Sequence, residues 1–172
     1  MSLRTVREID WENWRPRDVG TLLFIVRDGE VLLIRKKRGL GAGKINGPGG
    51  RLEPGESPLA AAIREVEEEV CVTPSEIEAR GELSFDFTDG YRLHAHVFVA
   101  FAHAGTPSAT PEADPFWCSL EELPYASMWA DDALWLPHVL AGRGVRGRFV
   151  FEGDEMLDYE LDVFEISSPA RP

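Results

Sequence analysis

The stretch Gly49–Val70, GGRLEPGESPLAAAIREVEEEV, closes with Glu65, Glu67, Glu68 and Glu69 inside five residues. Ser57 suits a helix N-cap, Pro58 suits the first helical position, and Pro74 lies beyond the end. The pattern predicts a helix whose apolar face is Leu59, Ala62, Ile63, Val66 and Val70. At 100° per residue, Glu65, Glu68 and Glu69 share a second face, while Glu67 projects elsewhere into solvent. Like charges at these offsets repel by about a few tenths of a kcal/mol per pair, in a chain whose net charge is already −12. A divalent cation would offset that repulsion. Hard cations such as Mg²⁺ take carboxylate oxygens, keep several waters and bridge to phosphates.

The residues just upstream carry the opposite charge. Arg35, Lys36, Lys37, Arg38, Lys44 and Arg51 fall in seventeen residues that contain no acid. A basic loop before an acidic helix suits a small polyanion held by Lys and Arg on one side and by metal on the other. An acidic chain with pI near 4.8 is ill suited to nucleic acid polymers, whose phosphate backbones need a broad basic surface. A small polyanion is the expected partner, and a monomer is the expected state.

At 172 residues with 44% hydrophobic content, the chain is expected to form one domain with a full core. The first residues carry Arg4, Arg7, Glu8 and Asp10 without an apolar stretch, and runs such as Leu22–Val26 are too short for a bilayer. A soluble, cytoplasmic protein without a membrane partner is expected. Cys71 and Cys118 have no metal-ligand spacing and suit free thiols in a reducing compartment. Four histidines likewise show no ligand spacing with the cysteines, which gives a structural zinc protein little support.

Residues 1–17, with Trp11 and Trp14, read as a lead-in without periodic pattern. VGTLLFIVRDGEVLLIRKK reads as two apolar strands around the turn Asp28-Gly29. RGLGAGKINGPGG is too rich in Gly for regular structure and is read as a long functional loop. After the helix, residues 81–105 give a second hairpin around Asp89-Gly90. DPFWCSL reads as a short strand, DDALWLPHVLAG as a helix with Pro137 near its middle, and residues 147–166 as a last hairpin. Residues 166–172 are expected to fray. Strands interspersed with two helices indicate a mixed α/β (α+β) sandwich with helices on the sheet faces.

The spacing Gly50, five residues, Glu56, seven residues, then Arg64-Glu65-Val66-Glu67-Glu68-Glu69 resembles the Nudix box of pyrophosphate-cleaving hydrolases. Cys71 departs from it, standing where the family has Gly. The resemblance implies an α/β/α sandwich around a mixed sheet and Mg²⁺ (or Mn²⁺) as cofactor. It implies Glu65, Glu68 and Glu69 as metal ligands, with the Gly49 carbonyl and Glu112 as additions. It also implies Arg64 as the residue that orients the box glutamates and Glu56 as an assisting carboxylate; which carboxylate is the general base varies within the family, and Glu69 is the one expected.

Over Thr21 to about Val163 the chain is similar to MutT-related hydrolases of oxidised purine nucleoside triphosphates. The segments KKRGLGAGKINGPGG, SFDF, HVFVAF, PEADPFW and MWADDALWLP carry that likeness. It implies a base pocket made by Asn46, Phe85, Phe87, Trp129, Asp131, Asp132 and Trp135, with Thr21 at its edge and Lys36 facing phosphate. An indole stacks on a purine, and two adjacent buried carboxylates cannot both ionise easily, so Asp131 and Asp132 would share a proton. Such a pair offers one donor and several acceptors to a guanine edge. Leu40 replaces an aromatic and Ala113 a methionine of the relatives, so a wider pocket is expected.

The activity implied is hydrolysis of compounds such as 8-oxo-dGTP to the monophosphate and pyrophosphate. A Nudix enzyme for another nucleoside diphosphate derivative, such as a nucleotide sugar or dinucleotide, is the alternative. A non-catalytic nucleotide sensor is a third.

Overall fold

The computed structural model describes residues 4–166. Eight strands form one mixed sheet: β1 (Asp18–Arg27), β2 (Glu30–Lys36), β3 (Ile45–Asn46), β4 (Thr73–Phe87), β5 (Arg92–Ala104), β6 (Ala113–Ser119), β7 (Gly144–Glu152) and β8 (Glu155–Phe164). The helices are α1 (Pro58–Val70) and α2 (Asp132–Leu140). The strand order is β3-β2-β1-β5-β4-β7-β8, with β6 also paired to β2. The β1–β5 and β4–β7 pairs are parallel and the others antiparallel.

Alternation along β1 divides the core in two. Leu23 and Ile25 pack with Ala62, Val66 and Val70 of α1, while Phe24 packs with Trp135, Leu136 and Val139 of α2. Each helix therefore covers one sheet face, because successive strand side chains point to opposite sides. The expected sandwich is the observed one. Among the described residues no helix is long and apolar enough to cross a membrane.

Three local expectations are corrected. Within the Gly-rich segment, Ile45–Asn46 pairs with β2 as a short strand. The strand expected from Gly81 begins at Thr73 and includes Pro74. Proline is tolerated there because β7 pairs only with Gly81–Phe87, leaving that end of β4 an edge on one side. A bulge between Ala79 and Gly81 resets the register; a Cβ at Gly81 would lie 1.9 Å from the Val145 carbonyl oxygen. On α1, Leu59 is exposed while Ala61, Ala62, Val66, Glu69 and Val70 are buried. The buried stripe is thus rotated toward Glu69, which the apolar pattern alone placed with the outward-facing acids.

The lead-in is packed rather than loose. Val6–Glu8 forms a 3-10 turn, and Val6, Ile9 and Trp14 bury themselves with Val150. Asp86, 1% exposed, accepts the Trp14 indole N–H at 2.9 Å and pairs with Arg4 at 2.9 Å. The frayed ending expected for residues 166–172 lies, apart from Ile166, outside the described residues.

Candidate active site

The Gly-rich segment is stitched to β1 by backbone bonds: Thr21 N–H to Gly50 O at 2.8 Å, Leu23 N–H to Pro48 O at 2.9 Å, and Leu52 N–H to Val19 O at 2.9 Å. Close approach demands glycine. A Cβ at Gly49 would stand 1.8 Å from the Thr21 carbonyl oxygen, and one at Gly50 would stand 2.3 Å from the Glu65 carboxyl carbon. The loop thereby presses the Glu65 carboxylate into place and holds Glu69, whose Oε1 accepts the Gly49 N–H at 3.0 Å.

Ser57 caps α1 as expected, its side chain accepting the Ala60 N–H at 3.1 Å. At the other end Cys71 adopts the left-handed conformation, φ 66° and ψ 25°, the geometry that glycine adopts without strain. Two free carbonyls of the last turn are met by a distant loop. Thr110 Oγ1 donates to Glu69 O at 2.8 Å, and Ser108 N–H to Val70 O at 2.9 Å.

Arg64 organises the acids. Its Nε and Nη2 grip Glu56 at 2.7 and 2.8 Å, and Nη1 donates to Glu65 at 2.9 Å and Glu68 at 3.2 Å. Its Nη2 also reaches the Arg51 carbonyl at 3.1 Å, which joins helix to loop. This forked contact lowers the Glu56 pKa to about 2, hydrogen bonding to Arg64 being the main cause. Burial acts the other way on Glu65, which is raised, and on Glu69, which is pushed up to about 8. Glu69 is 3% exposed.

A cleft of about 800 Å³ opens beside these acids, lined among others by Thr21, Lys36, Asn46, Gly49, Glu65, Glu69 and Glu112. Its farther wall includes Phe85, Phe87, Trp129, Asp131 and Asp132. Phe85 stacks on Phe149 with centroids 5.2 Å apart, and Trp129 meets Phe87 and Phe151 edge to face. The Asn46 side-chain Oδ1 accepts the Gly47 N–H at 2.9 Å. Lys36 Nζ donates to Leu40 O at 2.8 Å, and Glu112 pairs with Arg38 at 2.8 Å.

Asp131 and Asp132 are 2% and 3% exposed. Asp131 occupies the N-cap position of α2, yet its side chain makes no capping bond; it accepts the Trp135 indole N–H at 2.7 Å. Asp132 Oδ2 accepts the Trp129 N–H at 3.1 Å. Burial raises the Asp131 pKa to about 6 and, together with the neighbouring Asp131 charge, raises that of Asp132 well above the usual carboxylate range.

Trp135 does not line the cleft: it is fully buried behind Asp131, edge-on to Phe24. Ala113 is also fully buried, among the α1-side core residues, so its small size does not widen the cleft. Leu40, 47% exposed, does lie on the cleft rim.

Glu56, Arg64 and Glu68 are not in the cleft lining; Glu56 and Glu68 bond to Arg64, which in turn donates to the lining residue Glu65. Tyr91 lines the cleft and was not foreseen; its hydroxyl donates to Asp18 Oδ2 at 2.8 Å. That contact depends on parallel β1–β5 pairing, for which neighbouring residues in the sequence carry no signal.

The family model for the NUDIX domain matches residues 14–139. The chain belongs to the Nudix family. The hydrolase is 40% identical over 147 residues to the oxidized purine nucleoside triphosphate hydrolase of Danio rerio, covering 84% of this chain and 94% of that one. It is 37% identical over 143 residues to the protein of the same description from Mus musculus, covering 82% and 92%. Among solved structures, the MutT protein of Bacillus halodurans superposes with a TM-score of 0.76 at 32% identity, covering 84% of this chain and 97% of that one.

The donor set of this Nudix hydrolase suits a hard divalent cation: several carboxylates converge on one loop, and buried Glu69 accepts one backbone N–H and is stabilised in its charged form only in part by the Lys36 charge. Glu65 and Glu68 are gathered by Arg64 instead. Among the described residues, the three-donor group whose ligand atoms all lie within 4.8 Å of one another is Glu82, His94 and His96, on the sheet rather than on α1.

Proposed function

We propose that this Nudix hydrolase cleaves purine nucleoside triphosphates, with oxidised ones such as 8-oxo-dGTP foremost, to the monophosphate and pyrophosphate. The observation that carries the reading is the buried pair Asp131–Asp132 beside Trp129, across one cleft from the acids of α1. Near neutral pH the pair retains one proton between its two carboxyls, since burial raises both and each charge opposes the other, while the Trp135 indole N–H donates to Asp131. One hydroxyl donor and several acceptor oxygens then meet the carbonyl, ring N–H and amino groups of a guanine edge. Trp129, Phe85 and Phe87 supply apolar surface for the base. The names of the Danio rerio and Mus musculus relatives support the same substrate class.

At the other end Lys36 faces the phosphates. Glu65, Glu68 and Glu69, with the Gly49 carbonyl and Glu112, would hold Mg²⁺ or Mn²⁺, which when bound neutralises phosphate charge and lowers the pKa of an attacking water. Arg64 fixes the rotamers of Glu65 and Glu68 and takes its own orientation from Glu56. Glu69 is the base that accepts the proton of the water attacking an inner phosphorus. We take residues 1–172 to act as one monomeric unit. The free thiols Cys71 and Cys118 and the nucleotide substrate suit the cytoplasm.

A panel of nucleotides with Mg²⁺, scored for pyrophosphate against orthophosphate, tests the reading. Faster turnover of 8-oxo-dGTP than of dGTP, a nucleotide sugar or ADP-ribose is expected; equal or slower turnover overturns the substrate assignment. Glu69→Gln is expected to abolish turnover, and full activity in that variant removes it from the catalytic set.

A further inference from the structure

We infer that Glu82, His94 and His96 form a second metal site, one selective for a borderline transition ion such as Zn²⁺ and separate from the carboxylate helix. His94 and His96 lie two apart on β5 and therefore project from one face of the sheet. Glu82 on β4 is the register partner of His96, and Ser84 that of His94. Three ligating side chains from two adjacent strands thus converge without any loop.

The distances suit coordination. His94 Nε2 lies 2.9 Å and His96 Nδ1 3.6 Å from Glu82 Oε1, and one donor atom from each residue falls within 4.8 Å of the others. Tetrahedral bonds of about 2.0 Å separate neighbouring donors by roughly 3.3 Å, so small side-chain shifts complete three corners of a tetrahedron. The fourth corner is left to water. Two imidazoles and one carboxylate match Zn²⁺ and its transition-metal neighbours, whereas Mg²⁺ and Ca²⁺ prefer all-oxygen sets.

The arrangement also has an outer partner. His94 Nδ1 lies 2.9 Å from Ser84 Oγ. Ligating histidines commonly engage their second ring nitrogen in such a bond, which sets tautomer and ring orientation. Without metal, Nε2–H donates to Glu82 and Nδ1 accepts the Ser84 hydroxyl; with an ion bound, the reversed tautomer, Nδ1–H donating to Ser84 Oγ, would leave Nε2 free to ligate. The two imidazoles meet edge to face with centroids 5.1 Å apart, and both are 24% exposed, so an ion can reach them. Arg146, the β7 register partner of Glu82, is the opposing charge; its guanidinium is drawn over the Phe164 ring at 5.7 Å.

The test uses the full chain stripped with a chelator and then saturated with Mg²⁺ to fill the carboxylate helix. Zn²⁺ uptake is followed by calorimetry, and Co²⁺ uptake by its visible absorption. Wild type is expected to take one equivalent of Zn²⁺ that survives excess Mg²⁺ and persists in Glu69→Gln. His94→Ala and His96→Ala should lose it while retaining nucleotide hydrolysis in Mg²⁺. Ser84→Ala should weaken uptake by roughly 10- to 100-fold.

Should either histidine variant fail to fold, ¹⁵N chemical shifts in wild type replace it: the ring nitrogens of His94 and His96 should move with Zn²⁺ while those of His103 and His138 stay. No uptake in wild type beyond the Mg²⁺-filled site, uptake undiminished in folded His94→Ala and His96→Ala, or unmoved His94 and His96 ring nitrogens overturns the assignment.

Discussion

Trp135 gives its indole N–H to Asp131 across 2.7 Å, with both side chains withdrawn from solvent. A residue with no surface in the cleft therefore sets the charge of one that has. Trp135→Phe keeps most of the packing and removes the donor. It should destabilise the protein by about 1–3 kcal/mol, the cost of an unsatisfied buried acceptor, as read by urea denaturation. The indole bond lowers the Asp131 pKa, so its loss should move the pH dependence of substrate affinity upward; an unmoved profile separates Trp135 from recognition.

Burial also couples the aspartate pair to stability. The folded pKa of Asp131, about 6, exceeds the unfolded value near 3.9, so the folded state binds the extra proton between them. Its stabilising contribution is full below pH ~4 and is lost as pH rises through ~6. Asp132 acts in the same direction. Asp131→Asn should match wild type near pH 4 and exceed it near pH 8, by an amount on the order of 2 kcal/mol. Denaturation of chelator-treated protein at both values checks this, and a constant difference contradicts it.

Arg64→Lys preserves charge but not the fork that holds Glu56 while reaching Glu65 and Glu68. Loss of such a partner costs roughly 10- to 100-fold in metal affinity or activity. Steady-state rates across a Mg²⁺ titration should show that fall with circular dichroism unchanged.

Gly50→Ala places a methyl where the Glu65 carboxyl group now lies, 2.3 Å from its carbon. The carboxylate has to swing away. Misplacement of about 1 Å costs on the order of 100-fold in rate, so single-turnover hydrolysis should fall by at least about that factor while far-UV dichroism persists. Wild-type rates in this variant are incompatible with a site built on Glu65.

Cys71→Gly tests the helix end. A residue with a Cβ at φ 66° carries strain of about 1 kcal/mol that glycine lacks. The variant should gain close to that in urea denaturation without a change in rate; a loss of stability shows that other contacts of Cys71 outweigh the strain.

Much of the fold was legible because its signals are local. The Asp28-Gly29 turn lies between two continuous apolar runs, Asp89-Gly90 precedes the alternating run Leu93–Phe101, and Ser57-Pro58 opens α1. Errors fell where distant contacts override local pattern. Pro74 sits in β4 because β7 stops short of it, and Leu59 is exposed because α1 turns Glu69 inward. In the site, spacing marked the acids of α1 and the resemblance pointed to the aspartate pair, whose burial no local pattern shows, but Trp135 and Ala113 lie behind the walls on which their resemblance placed them.

Sequence by itself determined the alternation of strands, the capped helix and the family to which its acid spacing belongs, since all of these depend on residues within a few turns of one another. Only tertiary structure decided which carboxylates of α1 are buried, that Arg64 also ties the helix to the Arg51 carbonyl, and that His94 and His96 meet Glu82. Burial and charge pairing depend on neighbours brought from far along the chain by sheet register, and register is settled by the packing of both faces together.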